Sequence, residues 1–173
     1  MVIIIGLGNI GVQYQNTYHN LGFRAVDKFG NIVGIEIDKK KYKALIGKGV
    51  FEGNEILLAK PITYMNNSGE CAFALKKKFP NAKIIVVVDD IDLPKGVVRF
   101  RERGKSGTHN GLRSIVSYIG EEFERVRIGI GRDERKDLAD YVLSNIRSDE
   151  QEIFNQALDK VCEILKERIF DFK

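Results

Sequence analysis

The stretch GLGNIGVQYQNTYHNLG, residues 6–22, follows the apolar run VIII at residues 2–5, and its first six residues fit the dinucleotide fingerprint G-x-G-x-x-G. If a helix begins at those glycines, the chain opens as a Rossmann unit whose helix N-terminus holds a pyrophosphate. The residues that follow argue against it. Val12, Tyr14, Asn16 and Thr17 are weak helix formers, and no apolar stripe starts before Leu21. An acidic residue is also due about 20 positions on, at the end of a second strand. Asp27 instead falls inside a helical pattern, and Asp38 runs into Lys39-Lys40-Lys41. The glycines are therefore expected to turn the backbone so that Asn9 points inward, while the polar continuation returns the chain with His19.

Outward from that loop, short β-branched runs alternate with helical periodicities, as in an α/β domain. Val2 to Ile5 reads as a first strand, and Leu21 to Val33 as a helix with Leu21, Ala25, Phe29 and Ile32 on one face. Ala44 to Phe51 and Glu55 to Ala59 read as a hairpin about Glu52-Gly53-Asn54. Asn67-x-x-Glu70 has the form of a capping box and opens a helix through Phe79, stopped by Pro80. Ile84 to Val88 is a buried central strand by composition. Val97 to Arg101 and Val126 to Ile130 are further strands, with a helix near Asn110 to Ile119 between them. A short helix at Lys136 to Leu143 and a longer one from Asp149 to Ile169, capped by Ser148 and Gln151, complete the chain. The expected fold is one α/β domain over residues 1–173: a three-layer sandwich with a twisted, mixed, largely parallel sheet and helices on both faces.

With 173 residues, 43% of them hydrophobic and 30% charged, the chain has the composition of a globular protein that buries its own core. No apolar run approaches the roughly 20 residues of a membrane span. No signal peptide is read before the first strand, so a cytoplasmic location is expected. Cys71 and Cys162 lie in apolar helical patterns, without the spacing of a zinc site, and read as reduced core residues. Asn66-Asn67-Ser68 fits the glycosylation pattern, which carries meaning only in a secreted chain. The formal net charge of +4 suggests an anionic partner without identifying one.

In open α/β sheets, ligands sit beyond the carboxyl ends of the strands. Two polar punctuations occupy such ends, Gly8-Asn9 and Asp89-Asp90-Ile91-Asp92, and parallel neighbouring strands would place Asn9 and Asp89 on one rim. The only two histidines stand in similar settings, TYHNLG around His19 and GTHNGL around His109. A neutral imidazole takes a proton from water when a carboxylate fixes its tautomer, and Asp89 is a suitable partner for either. Asp90 should point to the opposite face, and Asp92, before Leu93-Pro94, suits a structural turn. The three acids would also suit magnesium, but no phosphate cradle accompanies them. Lys105-Ser106 after Gly104 lacks the first Walker glycine, since position 99 is Arg99. Asn9, Asn66 and Asn110 are candidate donors to an oxyanion, although asparagine also serves in turns. With no G-x-S-x-G elbow, and no histidine adjacent in sequence to Ser68 or Cys71, water is the expected nucleophile.

Arg99, Arg101, Arg103 and Lys105 alternate with Val98, Phe100 and Glu102. On a strand they form a row of cations roughly 7 Å apart, suited to a phosphate backbone or to a solvated edge that resists aggregation. Lys39 to Lys43 reads as a flexible lysine-rich turn.

Taken together, four segments resemble the bacterial peptidyl-tRNA hydrolase family over essentially the whole chain: GLGNIGVQYQNTYHNLG, KPITYMNNSG, DDIDLPKGVVRFRERGKSGTHNGL and FERVRIGIGR. The resemblance implies a cytoplasmic, monomeric enzyme that cleaves the ester between peptide and tRNA, with tRNA as partner and neither metal nor organic cofactor. It implies His19 as general base, Asp89 as its orienting carboxylate, and Asn9 and Asn66 as groups that position substrate and water. Asn110 would hold water and the tRNA end, and Tyr14 and Met65 would line the site around the 3′ end and peptide. Arg99 and Arg101 would contact tRNA phosphate, with Lys105 and His109 on the same surface. A noncatalytic RNA-binding module on the same fold is the alternative. Three positions depart from the family pattern: Ile10 stands for a usual proline and allows a looser loop, Tyr18 for a usual arginine and removes a cation, and Thr108 for a glycine that would supply a positive φ.

Overall fold

The structure is a computed structural model that describes residues 1–172. Seven strands form one sheet: β1 (Val2–Gly6), β2 (Lys39–Lys41), β3 (Ala44–Phe51), β4 (Asn54–Pro61), β5 (Lys83–Asp90), β6 (Val98–Arg101) and β7 (Glu124–Gly129). Their order across the sheet is β2-β3-β4-β1-β5-β7-β6. The central pairs β4–β1, β1–β5 and β5–β7 are parallel, whereas β2–β3, β3–β4 and β6–β7 are antiparallel. The mixed, largely parallel sheet expected from the sequence is therefore present.

Both faces of the sheet are covered, which explains why β1 and the Ile84–Val88 run of β5 are apolar without alternation. Val2, Ile4, Ile85 and Val87 enter one core with helices α1 (Leu21–Val33) and α5 (Gln151–Phe170). Ile3, Ile5, Ile84, Val86 and Val88 enter a second core with α2 (Ser68–Lys78) and α3 (Asn110–Ile119). Each fully buried Ile or Val contributes about 1.5–3 kcal/mol, so two cores sharing a sheet are ample to hold the three layers. The short α4 (Leu138–Val142) joins the first core through Tyr141 and Val142. Among the described residues, no helix is long and apolar enough to cross a membrane.

The opening glycines act differently from expectation. Neither Gly6 nor Gly8 has a positive φ, and only Gly11, at φ 126°, needs that freedom. A Cβ on Gly22 would lie 2.5 Å from Leu7 N, and one on Gly6 would lie 2.2 Å from Gly22 O. These two glycines let α1 press directly onto the end of β1. As expected, the helix begins at Leu21 and not at the glycine loop.

Four local readings are corrected. Lys39–Lys41 is not a flexible turn but a strand, because it completes the hydrogen-bonding edge of β3, and Tyr42 and Lys43 (φ 54° and 58°) form the turn. Asn67 makes no side-chain capping hydrogen bond: it ends the 3-10 turn Met65–Asn67, its N–H already bonds Tyr64 O at 3.2 Å, and Glu70 pairs with Lys43 across the fold at 2.7 Å. Ser148 begins a 3-10 turn ahead of α5, and Gln151 bonds Asn16 Oδ1 and Ile146 O instead of capping. The helix expected at 136–143 is limited to the five residues of α4.

Candidate active site

Because β1 and β5 run in parallel, with Gly6 opposite Val87, the chain leaves both at the same rim. Ile85 and Val87 face the α1 layer, so Asp89 two residues on faces it too. The 3-10 turn Tyr18–Asn20 leads into α1 and brings His19 to that carboxylate. His19 Nδ1 lies 2.9 Å from Asp89 Oδ2 and 3.1 Å from Oδ1. The Asp89 side chain is buried, while His19 keeps 13% exposure on a cavity of about 330 Å³. Asp90, also on this cavity, bonds Arg127 at 3.5 Å and accepts the Asp92 N–H at 2.8 Å, and Asp92 pairs with Arg132.

His109 reaches the same carboxylate from the other layer. It caps α3 by accepting the Leu112 N–H at Nδ1, 3.2 Å away, and its Nε2 is 3.0 Å from Asp89 Oδ1. A backbone N–H only donates, so Nδ1 is unprotonated and Nε2 carries the proton given to Asp89. Both nitrogens of His109 are occupied, and the residue lies at the centre of the site instead of on the Arg99–Lys105 surface. His19 gives its Nδ1–H to Asp89, and its Nε2 makes no hydrogen bond among the described residues.

Burial opposes a charge on His19, but the Asp89 charge and hydrogen bond outweigh it and raise the imidazole above its ordinary pKa. Burial alone would favour neutral Asp89, yet the two imidazoles hold it well below the usual carboxylate range. His19, Asp89 and His109 offer ligand atoms within 4.8 Å of one another, a grouping a divalent cation can use. Those donors are already committed: a cation would have to break both imidazole–carboxylate bonds and, through the His109 tautomer, the α3 cap.

Asn9 is buried behind the dyad, with its backbone N–H and C=O each 2.8 Å from the Asn20 side-chain amide. Its Oδ1 accepts the Met65 N–H at 2.8 Å, which leaves the Nδ2 hydrogens for a ligand. Tyr64, at φ 59°, takes a costly left-handed conformation just before that amide. Met65 is buried with Leu7 and Leu112, Asn66 is exposed on the same 3-10 turn, and Tyr14 is half-buried. The structure thus gathers His19, Asp89, His109 and Asn110 about one cavity, with Ile91, Leu138 and Val142 as its apolar wall. Asn9 lines a separate hollow with Ile10 and Phe23, which shares no lining residue with the His19 cavity.

The cationic row is shorter than its sequence suggests. Arg99 and Arg101 are exposed on β6, at the edge of the sheet. The chain then leaves the strand, Arg103 turns to Glu122 at 3.6 Å, and exposed Lys105 sits on the loop leading to His109. The left-handed residue of that loop is Gly107, at φ 60°, so Thr108 carries no strain of this kind.

Two loop anchors escaped the sequence reading. Arg125, fully buried, donates to Gly104 O at 2.7 Å, Glu121 O at 2.7 Å and Phe123 O at 3.0 Å. Arg127 joins Asp90 to Lys105 O at 3.0 Å. Nothing in an apolar strand pattern marks an arginine as buried. Asn20 was also passed over, although its position in the HN pair that recurs at His109-Asn110 was a usable signal.

The family model described as peptidyl-tRNA hydrolase matches residues 3–172. A peptidyl-tRNA hydrolase of Alkaliphilus oremlandii is 42% identical over 174 residues, covering 99% of this chain and 94% of the relative. One from Bacillus subtilis is 42% identical over 164 residues, covering 92% and 87%. The crystal structure of peptidyl-tRNA hydrolase from Acinetobacter baumannii superposes with a TM-score of 0.90 at 36% identity, covering 97% of this chain and 89% of that one.

Proposed function

The chain belongs to the peptidyl-tRNA hydrolase family and hydrolyses the ester between peptide and tRNA, and we propose that it does so with a water activated by His19. The observation that carries this reading is the division of labour on His19: Nδ1 is fixed by buried Asp89, and Nε2 is free at the cavity. Nε2 takes a proton from water, and the hydroxide attacks the ester carbonyl carbon. Amide donors of Asn9 and Asn66 meet the oxyanion and position substrate, while Asn110 holds water and the RNA end. As the tetrahedral intermediate collapses, the ribose oxygen leaves with the proton held on Nε2. Asp89 stabilises the transient imidazolium without itself being protonated.

Tyr14 and Met65 line the approach of the 3′ end and peptide, and Arg99, Arg101 and Lys105 hold RNA phosphates. Water and side chains provide every group these steps use, so no cofactor is required. A translation substrate supports a cytoplasmic location. Single-turnover release of peptide from peptidyl-tRNA tests the reading. His19→Ala is expected to abolish release while retaining tRNA binding; undiminished release would overturn it, and tRNA retention by a wild-type chain that releases no peptide would mark a binding module.

A further inference from the structure

A second buried carboxylate bonds residues next to His19 in the chain and in the loop after Asp89. Glu150 Oε1 accepts the Tyr18 hydroxyl at 2.5 Å, and Oε2 pairs with the Lys95 ammonium. Tyr18 immediately precedes His19, and Lys95 lies in the loop between β5, which carries Asp89 near its end, and β6, just after the turn at Leu93-Pro94. One side chain therefore ties the segment bearing the imidazole to the segment bearing its acid.

The surroundings make this tie rigid. Tyr18 is 2% exposed and Glu150 9%. The Tyr18 ring stacks on Tyr141 with centroids 4.8 Å apart and meets Phe154 edge-on at 5.7 Å. Tyr141 is held in turn by its hydroxyl, 2.5 Å from Ile130 O. The backbone is stitched alongside: Tyr18 N–H to Ser144 O at 3.3 Å, and Ile146 N–H to Asn16 O at 2.8 Å.

Asp89 is fixed by strand pairing with Ile128 of β7. His19 sits in a single 3-10 turn, so it is the partner able to drift, and a hydrogen bond of 2.9 Å is lost within a few tenths of an ångström. We propose that Glu150, through Tyr18 and Lys95, is a positioning residue that sets the His19–Asp89 distance from outside the cavity. The inference builds on the reading of His19 as base, but it concerns a contact measurable without substrate.

With only two histidines, ¹⁵N-labelled imidazoles give the His19 titration directly. The groups around that cavity are Asp89, His109, Asp90, Asp92, Arg127 and Asp137, and all persist in the variants chosen. Tyr18→Phe keeps the ring stack and removes only the hydroxyl; Lys95→Met breaks the other arm at a half-exposed residue. Both are expected to lower the His19 midpoint towards the ordinary value of about 6.5. They are also expected to reduce kcat about tenfold with KM within about twofold, as a small misplacement does. Folded variants with an unchanged His19 titration and wild-type kcat overturn the proposal. If Tyr18→Phe does not fold, Lys95→Met decides alone. A displaced titration with undiminished hydrolysis would leave the positioning role standing and remove His19 from the chemistry.

Discussion

The Nδ1 atom of His109 accepts the backbone N–H of Leu112 at 3.2 Å, and that bond makes the two histidines chemically unequal. With Nε2 engaged by Asp89 at 3.0 Å, His109 has no lone pair left for a water, whereas His19 Nε2 has one facing the cavity. Single-turnover rates should fall about 10³-fold in His19→Ala, within the range for a lost general base. His109→Ala should lose about tenfold, because Asp89 still orients His19, and about 1 kcal/mol of stability with the α3 cap. A larger rate loss in His109→Ala than in His19→Ala would reverse the assignment.

The charge on Asp89 predicts a pH dependence whose sign is fixed. A general base must be neutral, and His19 is raised above its ordinary value, so kcat should fall on acidification with a midpoint above about 6.5. In Asp89→Asn the charge is gone while burial remains, so the limb should move below about 6.5 as the rate drops. Linkage gives a second readout. The raised His19 contributes stability that is full below about 6.5 and lost as pH rises through its folded value. The depressed Asp89 contributes stability present above about 3.9 and lost as pH falls. Denaturant titrations of wild type and Asp89→Asn should therefore differ most between about pH 4 and 6.5; a difference independent of pH contradicts the coupling.

The place of Asp89 on the ligand rim was legible from strand periodicity, whereas its pairing with His19 as base came from the family resemblance, since Asp89 suited either histidine. An apolar run at Ile84–Val88 marks a buried parallel strand, and the polar residue that ends it must lie on the ligand rim. The corrections share a different cause. Glu70 has the spacing of a capping partner, but a lysine from the β2–β3 turn reaches it first, and no local pattern records a partner 27 residues away. Lys39–Lys41 has the composition of a solvated turn and becomes a strand only because β3 offers an open edge. The tautomer of His109 depends on the cap of a helix, which the His-Asn pair alone does not reveal.

The edge position of β6 predicts how binding responds to salt. Arg99 and Arg101 are exposed and form no ion pair among the described residues, so each is free to replace a counterion on RNA. Changing both to Gln should reduce the slope of log K against log salt by about 2, on the scale of 0.7–0.9 per phosphate contact. The maximal rate at saturating substrate should remain within about twofold. An unchanged slope in a filter-binding series would mean that these arginines serve only to keep the sheet edge soluble.

Arg125 makes the loop that carries Lys105 and ends at His109 dependent on a strand residue far from the chemistry. Its guanidinium spans Gly104, Glu121 and Phe123 carbonyls while its plane lies over the Phe123 ring, 4.0 Å from the centroid. Burial lowers its pKa to about 10, still well above neutral, so the cation persists at working pH. Lysine offers one point of donation where the guanidinium offers a planar fork, so Arg125→Lys leaves at least one carbonyl unsatisfied. A loss of about 2 kcal/mol is expected for Arg125→Lys and about 3 kcal/mol for Arg125→Met, measured by denaturant unfolding. Because Asp89 pairs with Ile128, three residues further along β7, and His19 comes from the 3-10 turn, the His19 titration should be nearly unchanged in the lysine variant, while tRNA affinity falls as Lys105 loses its place. Wild-type affinity and stability in Arg125→Lys would show that the loop is held by Gly107 and the α3 cap alone.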